Sequence, residues 1–353
     1  MLNKIKNIKI PKNLITKYPR LNKDIKLMIF NKKNKEIYHD KLNNLYKYFN
    51  KNDIIIKNNS KAYPIKYYCY KKDDYKQLIE IYLLKELSKK DNVWDILVNP
   101  ARKIRIGNKI YFINTKNNKY ILSEIIDNTT SKGRLLKFYY KDNAKLKKKL
   151  FKIGRFLIHN KTINKKNISI KYYQNSYAKK IGSVMLPTSG VYINKYILLN
   201  LKYHDINILD ITLHLNFNKY YKLNYKNIYK HKDLNSELLF INKKVIKKIN
   251  RILKNNNNIN ICTIGINTLR AIENIIFYKN KLIPYKSYIN KMFPYKYKYK
   301  LITSLITYFN DFNTLNFLTL LNMCGLSNTY RIYKEAIKNN YNFFTYGDLL
   351  LII

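Results

Sequence analysis

The sequence predicts an α/β main domain accompanied by a small antiparallel β-barrel, and three observations carry that expectation. Residues from about Asp53 to Tyr140 read as short, evenly spaced β-runs separated by Asn, Lys, Asp and Gly turns, the pattern of a small barrel. Beyond the lysine-rich KDNAKLKKKLFKIG the pattern changes to alternating helix and strand, which favours an α/β layer. At 353 residues and 42.6 kDa the chain is also long enough to bury two cores.

The barrel runs are DIIIK, YPIKYYCY, LIEIYLLKEL, VWDILVNP, KIRIGNKIYF, KYILSEIID and RLLKFYY, with Gly107 and Gly133 at expected tight turns. KDNAKLKKKLFKIG reads as a linker. In INKYILLNLKY, Ile193, Ile197, Leu198 and Leu201 share one helical stripe behind a capping Asn194. ILDITLHLNF then alternates as a strand, with Ile211, Leu213, Leu215 and Phe217 on one face and Thr212, His214 and Asn216 on the other. NINICTIGINTLRAIENII reads as strand, Gly265, then a helix burying Leu269, Ile272 and Ile276. Helices at LNFLTLLNM and TYRIYKEAIKN and a strand after YGD complete the chain.

The formal charge is +48, from 69 Lys+Arg against 21 Asp+Glu. Lys, Asn, Ile and Tyr, whose codons need only A and T, crowd every region, so base composition inflates that charge. The remaining excess favours a nucleic acid partner over a neutral metabolite; the bland alternative is a solvated lysine coat. Cys69, Cys262 and Cys324 lie far apart, without disulfide or zinc spacing, and fit a reducing cytoplasm. No apolar run is long enough to cross a bilayer, and MLNKIKNIKI lacks the features of a signal peptide.

Several groups invite a chemical reading. GSVMLPTSG concentrates Gly182, Ser183, Pro187, Thr188 and Gly190 in a chain with only 8 Gly and 7 Pro. Gly182 and Gly190 permit bends there, and Pro187 fixes the approach to the next helix. Gly265 precedes a helix N-terminus, where backbone N–H groups can hold an anion, although a plain turn explains it equally well. Arg270 and Glu273 are three apart, a spacing that favours a surface pair. His214, on a polar strand face, is either an acid–base group or a structural imidazole. As a strand, YKYKYK would set Tyr295, Tyr297 and Tyr299 opposite Lys296, Lys298 and Lys300, either to cradle RNA or to protect an edge. No nucleotide-binding glycine fingerprint or phosphate-loop motif is present.

Taken in order, IPKNLITKYP, NPARKIRIGNKIYF, EIIDNTTSKGR, YQNSYAKKIGSVMLPTSG, TIGINTLRAIE and YKEAIKNNYNFFTYGDLLLI resemble the S-adenosylmethionine:tRNA ribosyltransferase-isomerase family of queuosine biosynthesis. The resemblance covers nearly the whole chain. It implies an α/β domain of residues 1–62 and 151–353 interrupted by a barrel of residues 63–150. It also implies transfer and isomerisation of the ribosyl part of S-adenosylmethionine onto 7-aminomethyl-7-deazaguanine at the tRNA wobble position. The products are epoxyqueuosine-tRNA, adenine and methionine. S-adenosylmethionine is then a consumed substrate, and no metal or other cofactor is expected.

Matched residue by residue, the resemblance implies His214, Glu237 and Arg270 as catalytic groups. It implies Asn58, Asn59, Ser60, Gly182, Ser183, Pro187, Thr188, Gly190, Gly265, Glu273, Gly347 and Asp348 as substrate-binding, with Ser236 beside Glu237. Lys61, Lys66, Lys296 and Lys298 are the expected RNA contacts. A monomeric cytoplasmic enzyme acting on tRNA with a GUN-type anticodon is the corresponding expectation.

This chain departs from the family pattern at several positions. Asn58, Asn59, Ser60 and Lys61 replace Asn-Asp-Thr-Arg, and Asn216 and Asn218 replace the glycines after His214. Ile266 and Asn267 replace Thr-Thr, Tyr192 replaces a histidine, and Phe309 to Phe312 replace Phe-His-x-Pro. The alternative expectation is therefore a catalytically eroded relative that only binds tRNA as a basic protein. A basic ribosome-associated protein would leave the ordered motifs unexplained.

Overall fold

A computed structural model describes residues 8–16, 18–20, 24–72, 74–114, 119–129, 133–156, 174–216, 232–255 and 258–353. The chain splits into two compact units, Met1–Lys61 with His159–Ile353, and Ala62–Ile158. Phe217 and Asn218, singled out from the sequence, lie outside the described residues.

The larger unit is built on one nine-stranded sheet. Its strands are β1 (Lys26–Phe30), β2 (Ile37–Lys41), β3 (Ile54–Asn58), β4 (Asn207–His214), β5 (Lys232–Ile241), β6 (Ile261–Ile264), β7 (Tyr285–Met292), β8 (Ser304–Tyr308) and β9 (Leu349–Ile352). Their spatial order is β7-β5-β4-β3-β6-β8-β9-β1-β2. The central strands β4, β3, β6 and β8 are mutually parallel, so their carboxyl ends meet at one edge.

Side-chain alternation in the central strands feeds two cores. Ile54 and Ile56 enter one core while Ile55 enters the other, and Met28 and Phe30 are likewise separated from Leu27 and Ile29. Burial on both faces explains why DIIIK reads as a continuous apolar run. It is an interior strand of this sheet, not a barrel strand.

One face is covered by α2 (Lys243–Asn255), α3 (Ile266–Lys279), α4 (Leu315–Cys324) and α5 (Leu326–Lys338), which share a core with it. The other receives Ile197 and Leu201 of α1 (Lys195–Tyr203) and Leu42 and Leu45 of a 3₁₀ segment. The expected cap of α1 forms, Asn194 Oδ1 accepting from the Ile197 N–H at 2.9 Å. Leu269, Ile272 and Ile276 of α3 are all buried.

The smaller unit contains a closed six-stranded barrel with every pairing antiparallel. Its interior is packed with Cys69, Ile81, Leu83, Ile96 and Phe112, the last meeting Phe138 edge to face at 5.0 Å between centroids. Gly107 has φ +83° in its turn, whereas Gly133 is the first residue of strand Gly133–Phe138 and not a turn residue.

The expected linker is instead the helix Asn143–Ile153. Asp142 accepts from the Lys145 N–H at 3.0 Å, and Leu146 and Leu150 enter the barrel core. Lysine stems cost a helix little, so a charged run with apolar residues four apart forms a helix once a core is available.

Candidate active site

The carboxyl ends of β3, β6 and β8 border a narrow cleft lined by Asn58, Thr188, Gly265, Asn267, Tyr308 and Asn310, among others. None of the lining residues is Lys, Arg, Asp or Glu. Open α/β sheets bind ligands outside strand carboxyl ends where connections diverge. Here the connection from β3 leads to β4 on one side, and β6 lies on the other. A wider, open groove beside Tyr38, Arg331 and Lys334 contains no residue expected to act on substrate.

The motif GSVMLPTSG reaches this edge from two directions. At its start, Gly182 lies beneath the imidazole of His214: a Cβ there would stand 2.6 Å from Cε1 and Nε2. Ser183 fixes the backbone beyond His214, its hydroxyl accepting from the Leu215 N–H at 2.9 Å and donating to the Met185 carbonyl at 2.7 Å. Both hydroxyl functions are therefore committed to shaping the strand end.

His214 ends β4 beside Leu215, which lines the cleft. Its ring meets Phe240 edge to face at 5.9 Å between centroids. Nδ1 is buried without a hydrogen-bond partner among the described residues, and burial holds the imidazole pKa below its ordinary value. A neutral ring at physiological pH has a lone pair available to accept a proton.

Arg270 and Glu273 do not form the surface pair suggested by their spacing. Both are fully buried and turn to different partners. Arg270 Nη2 pairs with Glu237 Oε2 of β5. Glu237 Oε1 accepts from the Asn216 N–H at 3.4 Å, just beyond His214. Arg270 Nε and Nη1 have no partner among the described residues.

Glu273 instead accepts from the backbone N–H groups of Lys300, Leu301 and Ile302 at 2.9 to 3.0 Å. It organises the chain before β8. Spacing on one helix does not reveal this division because both partners come from distant segments.

Gly265 has φ +93° and supplies the N-cap of α3. Its N–H donates to the Ile306 carbonyl at 2.8 Å, and its carbonyl accepts from the Thr268 N–H at 3.1 Å. An L side chain is strained at that φ, which explains the glycine. Ser189, between the Thr188 and Gly190 singled out from the sequence, also lines the cleft.

Asn58 bridges a neighbouring strand, donating to the Leu213 carbonyl at 2.8 Å and accepting from the Leu213 N–H at 2.9 Å. Asn59 accepts from Thr212 at 2.6 Å, and the Ser60 N–H donates to Asn58 at 3.0 Å. Pro187 lines the cleft, while Gly190 accommodates the close approach of Tyr177 and Asn175. Ser236 is exposed next to Glu237.

Asp348 is saturated by Arg20 Nη2 at 2.6 Å, the Lys26 N–H at 2.9 Å and the Asn342 N–H at 2.7 Å. Gly347 packs against the Asn342 carbonyl in the same turn. These interactions make the terminal Gly-Asp a clasp between β1 and β9. Tyr192 is similarly committed, donating to the Tyr346 carbonyl at 2.7 Å.

The YKYKYK segment is a turn, not a strand, and Lys296 has φ +69°. Tyr297 stacks on Phe293 at 4.1 Å between centroids, while Tyr295 and Tyr299 pack against the core. Lys296, Lys298 and Lys300 are exposed. The tyrosines are partly buried and the lysines exposed, but neither the strand face for RNA nor the edge strand weighed from the sequence forms here. Lys61 is half-buried in the larger unit, and Lys66 of the barrel pairs with Glu80 at 2.6 Å.

The fold and cleft define an α/β protein with a cleft at the carboxyl edge of its parallel strands and an antiparallel barrel inserted in the chain. Residues 7–352 match the family described as Queuosine biosynthesis protein, and the chain belongs to that family. It is 33% identical to an S-adenosylmethionine:tRNA ribosyltransferase-isomerase from Flavobacterium psychrophilum, covering 98% of this chain and 97% of the relative. A counterpart from Amoebophilus asiaticus is 32% identical with the same coverage. The crystal structure of S-adenosylmethionine tRNA ribosyltransferase from Thermotoga maritima is 20% identical, covers 98% of this chain and 99% of its own, and gives a TM-score of 0.52. That last likeness concerns the fold.

Proposed function

We propose that the chain is an S-adenosylmethionine:tRNA ribosyltransferase-isomerase acting in queuosine biosynthesis. Full-length similarity to enzymes of that name carries this reading, and the uncharged polar cleft lined by Leu215, the residue after His214, supports it. The ribosyl part of S-adenosylmethionine passes to 7-aminomethyl-7-deazaguanine at the wobble position, giving epoxyqueuosine-tRNA, adenine and methionine.

The sulfonium acidifies the adjacent ribosyl C–H, so the first requirement is a neutral base near that carbon. His214 is our candidate, supported by its lowered pKa and its position on Gly182. The Arg270–Glu237 pair holds the β5 side of this region. Asn58 and Thr188 supply polar cleft surface.

The Asn267 and Asn310 departures also place polar side chains on the cleft lining. They give the eroded-relative alternative no specific support. S-adenosylmethionine is consumed in this reading, and the chemistry requires no metal or redox cofactor. The cationic excess and exposed Lys296 and Lys298 support tRNA as partner. A GUN-type anticodon and action as a cytoplasmic monomer complete the proposal, supported by the family resemblance.

Purified protein mixed with S-adenosylmethionine and precursor-bearing tRNA should release adenine and form epoxyqueuosine-tRNA. Folded protein that binds both substrates but yields neither product would overturn the catalytic proposal. Mass spectrometry of wobble nucleosides from cells with and without the gene provides the corresponding cellular measurement.

A further inference from the structure

We propose that Ser189 and the first turn of α3 form the subsite for the α-carboxylate of S-adenosylmethionine. The inference rests on the function proposed above and assigns one end of its small-molecule substrate to a place in the cleft. Ser189 is 8% exposed, lines the cleft, and makes no hydrogen bond among the described residues. Its Oγ lies 3.4 Å from the Cβ position that Gly265 leaves empty. The hydroxyl thus stands beside the helix N-terminus with its donor unused.

The Ile266 and Asn267 N–H groups open α3 without hydrogen-bond acceptors among the described residues. They are the unpaired donors expected in a first helical turn, and both residues line the same cleft. A helix N-terminus carries roughly half a positive charge. With a neutral hydroxyl beside it and no charged side chain in the lining, this suits one carboxylate. A nucleic acid backbone would instead call for cations along its path.

Isothermal titration of the full chain with S-adenosylmethionine and its decarboxylated analogue tests the assignment. Wild-type protein should bind S-adenosylmethionine about 10- to 100-fold more tightly than the analogue. Ser189→Ala should weaken S-adenosylmethionine about 10-fold and leave the analogue's affinity unchanged. Equal binding of both compounds by wild type, no binding of S-adenosylmethionine, or equal weakening of both by Ser189→Ala would overturn it. The wild-type comparison decides the matter if the variant does not fold.

The affinity of Ser189→Ala for tRNA alone should equal that of wild type. Weaker tRNA binding with unchanged S-adenosylmethionine binding would transfer the anion site to an RNA phosphate and overturn the assignment. Carboxylate discrimination without adenine release from precursor tRNA would preserve the subsite but defeat the catalytic proposal. Adenine release without carboxylate discrimination would do the reverse.

Discussion

The imidazole of His214 rests on the backbone of Gly182, so closely that a Cβ at position 182 would come within 2.6 Å of Cε1 and Nε2. The glycine therefore sets the position of the proposed base. Gly182→Ala should displace the ring and lower the adenine-release rate by at least about 100-fold, consistent with the sensitivity of catalysis to misplacement. Binding of tRNA should remain. Single-turnover adenine release and filter binding separate the two effects, and unchanged release would show that the contact does not position the reacting group.

Protonation of His214 gives a directional pH expectation. Burial lowers its pKa below the ordinary value of about 6.5, so the unfolded chain binds the proton more readily there. Stability should rise with pH from the lowered folded pKa toward about 6.5 and then level off. Below the folded pKa this contribution is absent. Urea denaturation across that interval should show less pH dependence for His214→Gln, and the basic form should coincide with the active form in a pH–rate profile. An unchanged stability slope in the variant would remove His214 as its source.

The Glu237–Arg270 pair provides a different test. Removing one member leaves the other charge buried, at a cost of about 3 to 5 kcal/mol. Arg270→Met and Glu237→Leu should each destabilise the protein strongly, while their combination should cost less than the sum. Urea midpoints of the four proteins measure the coupling. Strict additivity would contradict an energetic connection between the pair.

Glu273 and the Arg270–Glu237 pair have distinct expected effects. Glu273→Gln should lower stability by about 2 to 4 kcal/mol, since it weakens charge-assisted acceptance from three backbone N–H groups. Under conditions where the variant remains folded, its KM for S-adenosylmethionine should stay within about threefold of wild type. A large KM change without loss of stability would place Glu273 at the ligand instead.

The exposed lysines of the tyrosine-anchored turn should matter chiefly for RNA. Lys296→Glu together with Lys298→Glu should reduce tRNA affinity and make the salt-dependence slope shallower by roughly 2. Tyr297→Ala should primarily lower stability because that ring stacks on Phe293. Salt-dependent filter binding and thermal denaturation distinguish these effects. Lysine variants with an unchanged salt slope would show that the turn does not contact phosphate.

Local sequence determined that DIIIK is an apolar strand, though not that it belongs to the α/β sheet instead of the barrel, and it determined the Asn194 cap, the strand–Gly265–helix unit and the buried stripe of Leu269, Ile272 and Ile276. Those features depend on short-range periodicity and backbone preference. The ordered motifs also exposed the family, but they did not distinguish a ligand group from a residue holding the backbone. Tertiary structure made that distinction by bringing distant partners together. It committed Ser183 to Leu215 and Met185, Glu273 to the chain before β8, and Asp348 to Arg20, Lys26 and Asn342. It also put Arg270 against Glu237 and left the Ser189 hydroxyl without a partner among the described residues beside the start of α3. A buried polar group's role depends on what answers its hydrogen bonds, and here those answers come from strands and turns far away in sequence.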